Sequence, residues 1–198
     1  MTTLQELSMV VLADDAPGPA QGQWTYGDYA AIPSDGLWYE IIDGVLYMSP
    51  APGTGHQPAA GLIFYFLMQH IQFAGNGCVF AAPVDVELAP GTVVQPDVVV
   101  VLNANAGIIT PSRIVGTPDL VVEVASPGTA GYDRREKQDA YARAGVAEYW
   151  IADPNARAVE LLRLNGAAYK SLGVFINNAL LPSVVAQGMP TKVEQFFV

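Results

Sequence analysis

Cysteine is nearly missing from this chain of 198 residues: there is one, Cys78. A single thiol excludes an intrachain disulfide framework and a cysteine zinc cluster, and it fits a reducing cytoplasm. Taken alone, Cys78 reads as a small core residue. Basic charge is scarce as well. Nine Lys and Arg stand against nineteen Asp and Glu, a net charge of −10, whereas non-specific affinity for nucleic acid needs a basic surface. Five of those nine, Arg113, Arg134, Arg135, Lys137 and Arg143, fall between 113 and 143; a solvated helix face would collect charge in the same way. Long apolar runs are also wanting. Gly61 to Met68 is too short to span a bilayer, so no membrane segment is expected. No basic segment precedes the first apolar stretch and Asp14-Asp15 follow it at once, so no secretory signal is expected either.

What the chain has in quantity is apolar side chains. Hydrophobic residues make up 51% and charged residues 14%. That excludes disorder and favours a well-buried mixed fold of one domain with a sizeable core. Residues 1–23 have turn and linker composition around Asp15-Ala-Pro-Gly-Pro-Ala-Gln-Gly and read as a flexible arm; residues 24–198 read as a single domain. Thr25 is a plausible N-cap for a helix over 26–32 that Pro33 stops. Strands over 37–42 and 45–49 join at Asp43-Gly44, the type I′ hairpin signal. Thr54 can cap a helix over 56–74 that is apolar on every side in its middle, the mark of a helix buried in the protein or at an interface. Strands follow over 78–88 and 93–102, then a hairpin at Asn165-Gly166 and a short last element over 193–198.

The chain is organised around residues 117–154. A valine strand over 119–125 carries one acid, Glu123. A helix opens at Asp133 with the capping-box spacing Asp133-Arg-Arg-Glu136 and closes at Gly145. A second apolar strand covers 146–152. Strand, crossover helix and strand imply two parallel strands. Upstream, the valine strand at 93–101 also carries one acid, Asp97. A charge in such a run is costly unless it is paired or holds a metal. Asp97 and Glu123 therefore read as two acids facing each other from neighbouring strands. Such a pair needs a proton, a cation or a divalent ion, and its oxygen ligands suit Mg²⁺ or Mn²⁺. Backbone N–H groups at strand ends could hold the same pair without metal. On the helix, Lys137, Ala140, Tyr141 and Ala144 share one mostly apolar face that should pack on the sheet. Lys137 would then point toward the acids or snorkel out past them.

Tyr39-Glu40-Ile-Ile-Asp-Gly44, Met48-Ser-Pro50, His56-Gln57, Gln95-Pro96-Asp97, Val122-Glu123-Val-Ala-Ser126-Pro127 and Tyr141-Ala-Arg-Ala-Gly-Val-Ala-Glu-Tyr149-Trp150 occur in that order. Together, over roughly residues 24–198, they resemble the Uma-type restriction endonuclease family of the PD-(D/E)xK nuclease-like superfamily. The resemblance implies an α/β fold, a central mixed β-sheet flanked by helices with added β-hairpins. It also implies a Mg²⁺- or Mn²⁺-dependent site that hydrolyses DNA phosphodiesters. Asp97 matches the superfamily's first acid and Glu123 its second, which makes them the expected metal ligands. The motif lysine two residues after Glu123 is Ala125 here, and Lys137 on the following helix is the candidate to replace it. Glu40, His56 and Gln57 fall in the N-terminal motifs and are expected near the same site.

The expected function is thus a metal-dependent endonuclease with Asp97, Glu123 and Lys137 as catalytic residues. The rival is a catalytically silent nuclease-fold protein that binds a protein partner. The apolar composition and the apolar helix and tail further suggest a homodimer.

Overall fold

The computed structural model describes residues 9–49, 53–126 and 130–198. It is a mixed α/β structure with two six-stranded sheets. The first sheet takes the order β1 (Val11–Leu12), β3 (Val45–Ser49), β2 (Trp38–Ile42), β6 (Thr92–Val94), β5 (Val86–Ala89) and β8 (Ile114–Val115). The second takes the order β12 (Ala168–Ile176), β11 (Ala158–Asn165), β10 (Glu148–Asp153), β9 (Leu120–Val124), β7 (Val98–Leu102) and β4 (Gly77–Ala81). Strands β9 and β10 pair in parallel, as a helical crossover between them requires, and β5 pairs in parallel with β8.

The valine strands are continuous because both of their faces are covered. Val98, Val100, Leu120, Val122 and Val124 pack on α2 (His56–Leu67) and on Phe196 of the last helical turn, Val193–Phe196. Val99, Val101 and Val121 pack on Tyr141 and Tyr149, and with them on Ile42, Val86 and Val94 of the first sheet. The second apolar cluster therefore joins the two sheets. Glu123 sits between Val122 and Val124 and shares a face with Val121, so its carboxylate points into this junction.

Several turns form as their chemistry demands. Asp43 (φ 53°) and Gly44 (φ 74°) both take the left-handed backbone of a type I′ turn. Thr25 caps α1 (Tyr26–Ala30) in a capping box with Asp28. The later hairpin turns one residue beyond its signal, with Gly166 (φ 65°) and Ala167 between the paired Asn165 and Ala168.

Other expectations are corrected. The strand expected over 93–102 breaks at Gln95-Pro96-Asp97. Pro96 has no N–H for a ladder, and the chain there passes from β6 in one sheet to β7 in the other. The strand over 78–88 breaks in the same way, at Ala82-Pro83. The helix does not open at Asp133. A first turn, α3 (Ala130–Tyr132), precedes a π-helical stretch, Asp133–Lys137, which leads into α4 (Gln138–Ala144); Asp133 lies inside the helical segment and is not its cap. Thr54 caps nothing, because α2 opens after Gly55 without a side-chain cap. That helix buries a stripe, Ala59, Ile63 and Leu67, and leaves Tyr65 50% exposed, so it is not enclosed on every side. Cys78 is half-buried on β4.

The described part of the N-terminal arm is held in place. Val11 and Leu12 pair with β3, Ala13 is buried, and Gly22 donates to Gly44 O at 2.8 Å; residues 1–8 lie outside the described residues. Among the described residues, no helix is long and apolar enough to cross a membrane.

Candidate active site

Antiparallel β7 and β9 set Val98 opposite Val122 and Val99 opposite Val121. One step further along this register, Asp97 stands across from Glu123, just outside the end of β7. The two acids therefore occupy adjacent strands of the second sheet. A cavity of about 250 Å³ opens beside them. Asp97, Glu123 and Lys137 all line it, and so do Glu40, His56 and Gln57. All six residues singled out in the sequence thus lie around one cavity.

Lys137 is the centre of the charge arrangement. Its Nζ lies 2.7 Å from Glu123 Oε1 and 2.9 Å from Glu40 Oε1. Exposure is 4% for Lys137, 4% for Glu123 and 5% for Glu40. Two carboxylates and one ammonium are thus held out of water, and the ammonium offsets part of the carboxylates' repulsion. Glu40 reaches the cluster from β2 in the first sheet, Glu123 from β9 in the second, and Lys137 from the helical crossover. Tyr141, one turn after Lys137, donates from its hydroxyl to the same Glu123 Oε1 at 2.6 Å. Burial, reinforced by the charge of Glu123, pushes the Tyr141 phenol well above its ordinary range, so it remains a neutral donor.

Asp97 is oriented separately. Its Oδ2 accepts from the Val124 N–H at 2.7 Å and lies 3.0 Å from His56 Nε2 at the start of α2. The Gln95 N–H donates to Glu40 Oε1 at 2.7 Å, and the Gln95 side chain donates to Asp85 Oδ1 and to the Tyr29 hydroxyl at 2.7 and 2.8 Å. The break at Gln95-Pro96-Asp97 therefore supplies both a donor to Glu40 and the carboxylate of Asp97.

The donor set is carboxylate oxygen, the chemistry of a hard divalent cation. Among the described residues, no group of three His, Cys, Asp or Glu is placed to hold a metal ion by itself. An ion of the Mg²⁺ type needs no such cage, since one or two carboxylates with waters and substrate phosphate suffice. On that footing Asp97 and Glu123 fit one.

Four residues of this network were missed as site residues. Gln95 stood in the motif Gln95-Pro96-Asp97, but only Asp97 of the three was expected at the site. Tyr141 carried a signal, its spacing of four from Lys137 on the helix face that packs on the sheet. Tyr29 and Asp85 carried none, because their link to Gln95 depends on how the first sheet and α1 come together.

No curated protein matches the chain. A solved structure, described as a putative nuclease belonging to DUF820 from Anabaena variabilis ATCC 29413, superposes with a TM-score of 0.73. The alignment covers 87% of this chain and 97% of that one at 17% identity, which is a likeness of fold. A family model named Uma2 and described as "Putative restriction endonuclease" matches residues 26–193, the span that holds every strand except β1 and every cavity residue named above. The chain belongs to this Uma2 family of restriction-endonuclease-like nucleases.

Proposed function

We propose that this chain is a metal-dependent nuclease that hydrolyses DNA phosphodiesters in the cavity between Glu40, Asp97 and Glu123. Asp97 and Glu123 are the ligands to Mg²⁺ or Mn²⁺. When bound, such an ion lowers the pKa of a water and stabilises charge on the phosphate. The chain's own groups do the rest. His56 and the Val124 N–H fix one oxygen of Asp97, which leaves its other oxygen to face the cavity. Tyr141 fixes Glu123 in the same manner. Lys137 offers a point charge to the phosphate oxygens as negative charge builds on them. Water then attacks phosphorus in line, the bond from phosphorus to the leaving oxygen breaks, the attacking water gives up its proton to solvent, and a solvent proton goes to the leaving oxygen.

The observation that carries this reading is the position of Lys137. The superfamily's lysine position is Ala125, and a lysine ammonium from the following helix lies 2.7 Å from the second motif acid. The test is cleavage of plasmid and oligonucleotide DNA with Mg²⁺ or Mn²⁺, together with Mn²⁺ binding followed by electron paramagnetic resonance. Binding that disappears in Asp97→Ala supports the reading, and wild-type protein that neither binds Mn²⁺ nor cuts DNA refutes it.

A second reading, a silent nuclease fold that binds a protein partner, draws on the same contact. Lys137 already bridges a carboxylate from each sheet at under 3 Å, an arrangement that a structural ion triad would have. Mn²⁺ binding separates the two readings. We also propose a cytoplasmic homodimer, on the strength of the single thiol and of Leu172, Val174 and Ile176, which stand exposed along edge strand β12.

A further inference from the structure

The cavity has more in it than the acid cluster. Trp38 opens β2 two residues before Glu40, so the indole and the Glu40 carboxylate share one face of the strand. Trp38 is 37% exposed and lines the cavity, whereas Trp24 and Trp150 are buried. It also lines a second cavity of about 360 Å³, together with Gln95 and the aromatic rings of Tyr29 and Tyr39. The indole thus stands at a wall shared by two cavities. The lining of the first cavity also includes the small residues Ala60, Gly61 and Ala81.

The basic residues are poorly placed to grip a duplex backbone. Lys137 is the one Lys or Arg among the described lining residues, and two carboxylates already surround it. Elsewhere Arg113 is paired with Glu87, Arg143 with Asp43 and Arg163 with Glu148. Duplex binding draws on many Lys and Arg contacts to phosphates. Here that source is small and the overall charge is −10. Affinity for nucleic acid must then come from inside the cavity, and an exposed indole beside carboxylates offers stacking on the π-face of a base.

We propose that the cavity takes one unpaired nucleotide of single-stranded DNA, its base stacked on Trp38 and its phosphodiester turned toward the acid cluster. This rests on the nuclease reading for what happens to the phosphodiester, and on Trp38 and the charge distribution for the choice of substrate. A paired base cannot present its face to the indole, so duplex enters where a nucleotide is frayed or flipped out of its stack.

Trp38 also reports its own occupancy, since it is the exposed indole of the three. Tryptophan emission and the anisotropy of labelled DNA would be followed for the whole chain in buffers with Ca²⁺ and with EDTA. The probes are a single-stranded oligonucleotide, its duplex and an abasic single strand. Single strands should quench the emission and bind more tightly than the duplex, and the abasic strand should bind weakly. Trp38→Leu should lose roughly 5- to 150-fold in affinity, the range that one stacked base is worth, while Trp38→Phe keeps most of it. Gly61→Leu gives a second check. A Cβ at Gly61 meets no heavy atom within 4 Å, so the new side chain enters open space and should block the base with the fold retained. Equal affinity for duplex and single strand, no loss in the abasic strand, no binding at all, or wild-type affinity in Trp38→Leu would each overturn the proposal. Base-dependent quenching without cleavage in Mg²⁺ or Mn²⁺ would leave stacking standing and sink the nuclease reading. Duplex cleavage at an undiminished rate in Trp38→Leu would do the reverse.

Discussion

Removing the ammonium of Lys137 should weaken the fold as well as any chemistry. From the sequence alone, Lys137→Ala is expected to abolish cleavage and leave the fold intact; burial changes that expectation. Lys137 Nζ lies 2.7 and 2.9 Å from two carboxylates that are themselves about 95% shielded from solvent. Truncation leaves both acids in the junction between the sheets without their cation. Breaking a buried pair in this manner costs about 3–5 kcal/mol, because the remaining charge has no compensation. For a chain of this size each kcal/mol moves Tm by about 2–4 °C, so Lys137→Ala should melt roughly 6–20 °C below wild type at pH 7. Two additions make the measurement specific. Glu40→Gln and Glu123→Gln, added to Lys137→Met, remove the uncompensated charge and should recover most of the loss. Saturating Mn²⁺ should raise the Tm of Lys137→Ala, since an ion at 100 times its Kd adds about 2.7 kcal/mol. Differential scanning calorimetry reads all of these. A Lys137→Ala Tm within 2 °C of wild type would mean that the ammonium does not hold the acids, and the account of the site would fall with it.

Tyr141→Phe deletes the donor to Glu123 and should cost about 1.5–3 kcal/mol, as for a hydrogen bond to a charged group, seen as a lower urea midpoint; an unchanged midpoint would show that the bond is not made. Burial raises the phenols of Tyr29, Tyr141 and Tyr169, and that of Tyr39 up to about 12. Below about pH 10 folded and unfolded chains both keep these protons, so stability is flat. Above it the unfolded chain ionises first and stability falls, and urea midpoints that hold level through pH 12 would contradict this. Light scattering at micromolar concentration should give a dimer mass, and Val174→Lys on the exposed edge of β12 should give a monomer; a monomeric wild type would remove the dimer.

The local chemistry of the chain was readable where one or two residues decide it. Asp43-Gly44 dictates its turn, Thr25 with Asp28 dictates a helix start, and the valine runs dictate strands covered on both faces. The paired acids could be anticipated because a lone carboxylate among valines needs a partner. Breaks within the valine runs could not. Val93 to Leu102 has the composition of one strand, and its division between two sheets depends on where the rest of the first sheet pairs. The same holds for the helix start. Asp133 and Glu136 have capping spacing, but a turn before them and a π-helical stretch through them absorb the signal. Glu40 drew notice through the family resemblance alone, since its role depends on the first sheet docking against the second.

That docking gives the short break at Gln95-Pro96-Asp97 the character of a mechanical joint. Three residues carry the chain from one sheet into the other, and on them lie the N–H that holds Glu40 and the Asp97 carboxylate held by Val124 and His56. Lys137 ties Glu40 of the first sheet to Glu123 of the second beside this joint. Amide exchange at Gln95 and Val124, whose N–H groups meet Glu40 and Asp97, would report how firmly the site is held at this joint.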